Sequence, residues 1–170
     1  ILLGETKEEL GGSEYLKVLH NLAKGDCPAL DLELEKKVQN FTLECIREDL
    51  FESAHDCSEG GLAVCLAESC VSDKHNMTGA LIDNIDFGMR KDAVLFGESQ
   101  SRIVASVLPS SSEKIISTAR SEGVPCRVIG RTGGNKLVIK CGKKKIVDLP
   151  LGRISSLWRS ALENSFKQTV

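Results

Sequence analysis

The run Arg102-Ile103-Val104-Ala105-Ser106-Val107-Leu108 sets the first limit on the fold. It is β-branched and continuous, and so predicts a strand covered on both faces. A strand of that kind needs a layer on each side, and helices are written around it. Asp31 predicts an N-cap, after which Leu34, Val38, Phe41 and Cys45 recur at helical spacing until about Leu50. Ser58 predicts the cap of another helix, with Leu62, Cys65, Leu66 and Ser69 on one side and Ala63 and Ala67 allowing close approach. Ser110 and Glu113 have capping-box spacing before a stripe of Ile115, Ile116 and Ala119. Gly123 ends that helix and Pro125 prevents its resumption.

The remaining elements are shorter. Gly11-Gly12-Ser13 leads into a helix reaching about Ala23, with Leu16, Leu19, His20 and Ala23 on one face. Glu52 to Asp56 and Gly79 to Ile82 read as strands, and Lys91 to Phe96 as a single helical turn before Gly97. Cys126 to Arg131, Lys136 to Lys140 and Lys145 to Leu149 read as three strands, with Gly133-Gly134-Asn135 turning between the first two. A closing helix carries Ile154, Leu157, Trp158, Ala161 and Leu162 as a stripe that packs on the sheet. The order predicts an α/β (α+β) domain, a mixed β-sheet with helices packed on it, occupying residues 1–170 as a single unit. Ile1 is not a methionine, so the expectation is a carboxy-terminal fragment of a longer protein.

Composition removes several classes of function. A net charge of −2 gives no surface for nucleic acid or an acidic membrane, and an aromatic content of 4% is too low for a base-stacking platform. No apolar run is long enough to span a bilayer, and Ile1-Leu2-Leu3 is cut short by Gly4-Glu5, unlike a signal peptide. The seven cysteines include no C-x-x-C pair, so they read as small buried hydrophobes in a reducing cytosol, not as a disulfide framework or a zinc site. The expected location is cytoplasmic.

Three segments mix glycine with polar residues between structural elements, where a backbone can approach a ligand. Leu10-Gly11-Gly12-Ser13-Glu14-Tyr15 opens a helix and offers N–H groups to an anion, although a turn with an N-cap has the same pattern. His55-Asp56-Cys57-Ser58-Glu59-Gly60-Gly61-Leu62 joins a strand to a helix, and two glycines there cost about 1 kcal/mol each relative to alanine. That cost points to tight packing or a backbone approach. His55 by itself fits a core histidine better than a catalytic one. Leu95-Phe96-Gly97-Glu98-Ser99-Gln100-Ser101-Arg102 precedes the strong strand, and Arg102 has the chemistry to pair with a carboxylate or phosphate, the bland reading being a solvated loop. No metal-ligand cluster, Walker loop or nucleophile elbow is present. Lys143-Lys144-Lys145 reads as a solvated hairpin tip.

Taken together, L-G-G-S-E-Y, H-D-C-S-E-G-G-L-A-V-C-L-A-E-S, L-F-G-E-S-Q-S-R and the closing L-W-R-S-A-L resemble the final domain of the formylglycinamidine synthase family, large or synthetase subunit, over about Gly4 to Leu162. Cys57 stands where that family more often has an aliphatic residue. The resemblance implies the carboxy-terminal fold of the aminoimidazole ribonucleotide synthetase superfamily. It implies a purine-pathway ligase that turns formylglycinamide ribonucleotide, ATP and glutamine-derived ammonia into formylglycinamidine ribonucleotide. ATP and Mg2+ would act in upstream ATP-binding domains absent here, so that this portion alone is inactive and binds neither tightly. The implied partners are those domains, a glutaminase subunit or domain, the phosphorylated ribonucleotide, and a second copy in a homodimer. The resemblance also implies that Gly11, Gly12 and Ser13 hold a substrate phosphate through backbone N–H groups, with Glu98, Ser99, Gln100 and Arg102 on the substrate and His55, Asp56, Ser58, Gly60 and Gly61 lining a cleft. Two alternatives stay open: a docking domain with an auxiliary or empty site, and another superfamily member such as a small-molecule phosphotransferase.

Overall fold

In the computed structural model, which describes residues 1–167, the Arg102–Leu108 run is a strand near the middle of the molecule. It is β4 (Ile103–Ser106), preceded in the chain by β1 (Leu2–Leu3), α1 (Glu14–His20), α2 (Leu32–Arg47), β2 (Ser53–Asp56), α3 (Gly61–Val71), β3 (Ala80–Ile82) and α4 (Lys91–Phe96). It is followed by α5 (Pro109–Ser121), β5 (Cys126–Arg127), β6 (Gly130–Thr132), β7 (Lys136–Cys141), β8 (Lys144–Pro150) and α6 (Leu151–Lys167). The strands form two four-stranded sheets, not one. The first has the order β2-β4-β1-β5, and all its pairs are antiparallel. The second has the order β6-β3-β7-β8 and is mixed, since β3 runs parallel to β7 and the other pairs are antiparallel.

The side-chain alternation of a strand explains why Ile103, Val104 and Ala105 of β4 are all apolar. Ile103 and Ala105 face a core formed with Leu3 and with Val38, Phe41 and Cys45 of α2 and Ile115 and Ala119 of α5. Val104, between them, faces a second core built from Leu2, Leu62, Cys65 and Leu66 of α3, and Ile82, Leu137 and Ile139 of the second sheet. The first sheet is thus a partition between two cores. β1 is its innermost partner, with Leu2 and Leu3 almost completely buried. Two residues carry no period, so Leu2 and Leu3 show no strand signal of their own; their pairing with Ile103–Val104 and Cys126–Arg127 makes them a strand.

Several expected element ends shift for local reasons. Asp31 does cap α2, accepting from the N–H groups of Glu33 and Leu34 at 3.0 Å. Ser58 does not cap α3: its hydroxyl turns to the Asp56 carboxylate, and Gly60, in the left-handed region at φ 79°, takes the cap position. Ser110 and Glu113 form no capping box, because α5 begins at Pro109, where a missing N–H has no cost. α1 stops at His20, with Asn21 in the left-handed conformation, and buries none of its residues, so Leu19 and His20 are exposed and the helix does not reach Ala23. Gly123 ends α5 as its position predicts, at φ 70°. Along α6, Leu151 is buried and Ile154 packs on the second core, but Leu157 is 64% and Trp158 45% exposed. The Leu162 side chain lies outside the described residues. Cys27 is exposed and Cys126 and Cys141 are half-buried; the other four cysteines are buried as hydrophobes.

Candidate functional site

The three glycine-bearing segments are far apart in the chain and meet at one carboxylate. Glu98 Oε1 accepts from the Glu14 N–H and from the Gly60 N–H, both at 2.9 Å. The first donor opens α1 and the second precedes α3. Each is an N–H that a helix start leaves without an intrahelical partner, so a fixed carboxylate suits both. Gly61 explains how the segments come so close. Its φ is 66°, and a side-chain carbon there would run into the backbone of Phe96 and Gly97. Glycine is therefore required at Gly61 for both conformation and space. Tyr15 seals the same junction, its ring stacked on Phe96 at 4.9 Å and 6°.

Polar side chains beneath the junction face inward. Arg102 is 2% exposed, and its guanidinium donates to the Gly97 carbonyl at 2.6 Å, the Ser99 carbonyl at 3.0 Å and the Thr6 hydroxyl at 3.3 Å. Burial lowers its pKa, partly offset by Cys57, Cys65, Glu9 and Glu98 nearby. The expectation that Arg102 meets a ligand carboxylate or phosphate is corrected here: the group is enclosed, and it clamps the bend that presents Glu98. Ser99, also buried, accepts from the Lys7 N–H at 3.1 Å and donates to the Lys7 carbonyl. Ser13 donates to the Leu10 carbonyl at 2.6 Å and accepts from the Leu16 N–H, as an N-cap does. The N–H groups of Gly12 and Ser13, expected to face a phosphate, donate to the carbonyls of Lys24 and Leu10. Gly11 packs against the backbone of Asp26, where a side-chain carbon would clash.

Other positions remain outward. Gly12 is exposed at φ 69°, with nothing within 4 Å of where a Cβ would stand. Gln100 is exposed and donates to the Glu98 carbonyl at 3.0 Å. Ser58 and Glu59 lie on the surface beside Gly60. His55 separates from the junction. Its Nε2 lies 3.4 Å from the Glu68 carboxylate on α3, whose other oxygen accepts from the Trp158 indole N–H at 3.2 Å. Its Nδ1 is 2.8 Å from the Asp56 carbonyl oxygen. The hydrogen bond from the Ser58 hydroxyl, and after it the Asp56 backbone N–H, hold the Asp56 carboxyl below the usual carboxylate range. His55 and Asp56 thus belong to a strand-to-helix seam, while Gly60 and Gly61 belong to the junction.

Thr6 and Lys7, which clasp Arg102 and Ser99, were not singled out in the sequence. The available signal was Gly4, whose left-handed backbone at φ 83° lies directly on the Ser101 carbonyl. A second surface feature is an apolar groove of about 240 Å³ between α3, the second sheet and α6, lined by Ala63, Ala67, Leu137, Val147, Ile154 and Trp158. Phe96 also lines it, so this ring borders both the groove and the junction.

With this geometry in hand, residues 1–141 match the family model described as AIR synthase related protein, C-terminal domain. The chain is similar to phosphoribosylformylglycinamidine synthase subunit PurL of Moorella thermoacetica, at 44% identity over 164 residues, covering 95% of this chain and 22% of that one. Its fold is similar to that of T. maritima PurL complexed with FGAR, with a TM-score of 0.74 at 19% identity, over 91% of this chain and 27% of that one. A structure of the same protein complexed with ATP gives 0.69 at 19% identity, over 91% and 25%. The chain therefore spans about a fifth of the length of the relatives it matches.

Proposed function

Because this chain belongs to the AIR synthase related protein, C-terminal domain family, we propose that it serves as the carboxy-terminal domain of an ATP-dependent, amidine-forming ligase of purine biosynthesis. The whole enzyme would convert formylglycinamide ribonucleotide, ATP and glutamine-derived ammonia into the corresponding amidine. The upstream domains supply the ATP site with its Mg2+, and a glutaminase subunit or domain supplies the ammonia. This chain supplies one wall of the ribonucleotide cleft. The observation that carries the reading is the convergence of three distant segments on Glu98. Positioning contributes much of the rate in a reaction that must bring an activated amide and ammonia together, and a wall clamped from beneath is suited to it.

Within that wall the residues divide their work. Ser13, Ser99, Arg102 and the two glycines Gly11 and Gly61 hold the frame, and Glu98 ties its two helix starts. Gly12, Gln100, Ser58 and Glu59 present the outward surface to the ribonucleotide, Gly12 through its open backbone and Gln100 through its amide. The test is steady-state kinetics of the full-length enzyme carrying Gln100→Ala or Gly12→Val. An increase of about tenfold or more in KM for the ribonucleotide, with KM for ATP unchanged, supports the reading. Unchanged constants for both substrates would refute it.

A second reading rests on the apolar groove beside α6. In it the domain acts chiefly as a docking surface for the upstream domains or a sister copy. Trp158→Asp in the full-length enzyme separates the two: loss of assembly in sedimentation would favour docking, and intact assembly would leave the cleft-wall reading in place.

A further inference from the structure

Ser101 has a backbone that its place in the chain does not require. Among the described residues, three other than glycine are left-handed: Asn21 at φ 50°, Asp49 at φ 53° and Ser101 at φ 60°. Asn21 and Asp49 follow the last turns of α1 and α2, where that conformation lets their N–H groups reach the final carbonyls. Ser101 ends no helix. It lies between α4 and β4, in the loop that carries Glu98 and Gln100. A serine held there is strained, and it stays only where its surroundings hold it. Its hydroxyl donates to Glu35 Oε2 of α2 at 2.5 Å, across 66 residues of chain. The Gln39 amide, one turn along α2, donates to the other Glu35 oxygen at 2.5 Å. The residues on either side are fixed separately: the Ser99 carbonyl accepts from Arg102 at 3.0 Å, and the Arg102 carbonyl from the Cys57 N–H at 2.9 Å. With Ser99 and Arg102 both buried, the bend at Gln100 and Ser101 carries Gln100 out to the surface.

We propose that Glu35 is a positioning residue for the ribonucleotide, holding Ser101 left-handed and thereby fixing the direction in which Gln100 leaves the loop. The role rests on the reading of this chain as one wall of the ribonucleotide cleft. Glu35 acts through Ser101, not on the ligand. Its helix is anchored by Val38, Phe41 and Cys45 in the core that α2 shares with α5, so the carboxylate ties the bend to a fixed support. Gly4 closes the bend from the other side, lying so near the Ser101 carbonyl that a side-chain carbon would clash with it. Without Glu35, Ser101 keeps the strain and loses the hydrogen bond that offsets it, and Gln100 loses its fixed direction. A glycine at position 101 would need no such support, because the left-handed region costs it little.

The test is a double-mutant cycle in the full-length enzyme, read by steady-state kinetics and by hydrogen exchange of the peptide spanning residues 97–102. Glu35→Ala should raise KM for the ribonucleotide by about fivefold, leave KM for ATP and kcat unchanged, and speed exchange in that peptide. Glu35→Gln keeps an acceptor oxygen and should stay within about twofold of the parent enzyme. In a Ser101→Gly background, Glu35→Ala should shift the same KM by less than about 1.5-fold, since the conformation it supports no longer needs support. Equal effects of Glu35→Ala in the two backgrounds would overturn the proposal, and so would unchanged exchange across the loop. An unchanged ribonucleotide KM in Glu35→Ala, beside a raised one in Gln100→Ala, would overturn it while leaving the cleft-wall reading in place. An unchanged KM in Gln100→Ala itself would remove that reading, and the positioning role with it.

Discussion

The junction around Glu98 and the groove beside α6 share the Phe96 ring and solve opposite problems. At the junction, polar groups turn inward: Arg102, Ser99 and Ser13 are all nearly buried and all hydrogen-bonded to backbone. At the groove, apolar groups turn outward, with Trp158 and Leu157 substantially exposed. A buried polar network fixes one geometry, since each partner left unpaired costs free energy. An open apolar surface fixes none, and gains only when something covers it. The junction is finished within this chain, whereas the groove is not.

The sharpest way to break that contrast is Arg102→Ala. It leaves the Gly97 and Ser99 carbonyls buried without donors, and a loss of about 3 kcal/mol in urea unfolding is expected. Arg102→Lys should recover little, because an ammonium cannot reproduce the forked geometry. Gly61→Ala comes next, at about 2 kcal/mol or more, since it forces an L side chain into a left-handed backbone against Gly97. Glu98→Ala removes the shared acceptor of two N–H groups and should cost about 1–2 kcal/mol, while Glu98→Gln keeps an acceptor oxygen and should cost less than half of that. Trp158→Ala should change the stability of this chain by under about 1 kcal/mol, given its exposure. If its cost matched that of Arg102→Ala, the groove would be as finished as the junction and the contrast would fail.

Alkali should act on the apolar regions before the junction. Burial pushes the thiols of Cys45, Cys70 and Cys126 up to about 11, from an ordinary value of 9.0. The fold therefore favours the neutral thiol, and ionisation on unfolding becomes favourable first. The stability these groups contribute is fully present below pH 9.0 and is lost as pH rises toward about 11. Urea midpoints measured from pH 8 to 11 should fall across that interval, and by less in a Cys45→Ala, Cys70→Ala double variant relative to its own value at pH 8.

What could be read in advance follows the range of the interactions. The α2 stripe of Val38, Phe41 and Cys45, the end of α5 at Gly123 and the doubly covered β4 are all written in local residue patterns, and all are present. The three motifs were also legible as a group, because glycine clusters with polar neighbours stand out from propensity. The direction of their side chains was not. Arg102 and Ser13 look alike in sequence whether they face a ligand or a carbonyl; the difference is made by the local bends that turn the Gly97 and Leu10 carbonyls toward them and, for Arg102, by Thr6 arriving from the far end of the chain. Ser58 misled for a similar reason: Asp56, two residues earlier, competes for its hydroxyl. The split into two sheets escaped because Val128 and Ile129 interrupt what reads as one continuous strand from Cys126 to Arg131.

β1 has a consequence in time. Leu2 pairs with Val104 on one side and Arg127 on the other, so the partition between the two cores is completed only when segments distant in the chain have been brought together. The loop entropy of that closure must be met before either core gains from it. Helices α2, α3 and α5 can form early, but the central sheet is expected to close late, with β4 presenting unpaired strand edges in the interval. Any chaperone that attends this chain should therefore find its binding site in Ile103–Ser106 rather than on the exposed groove.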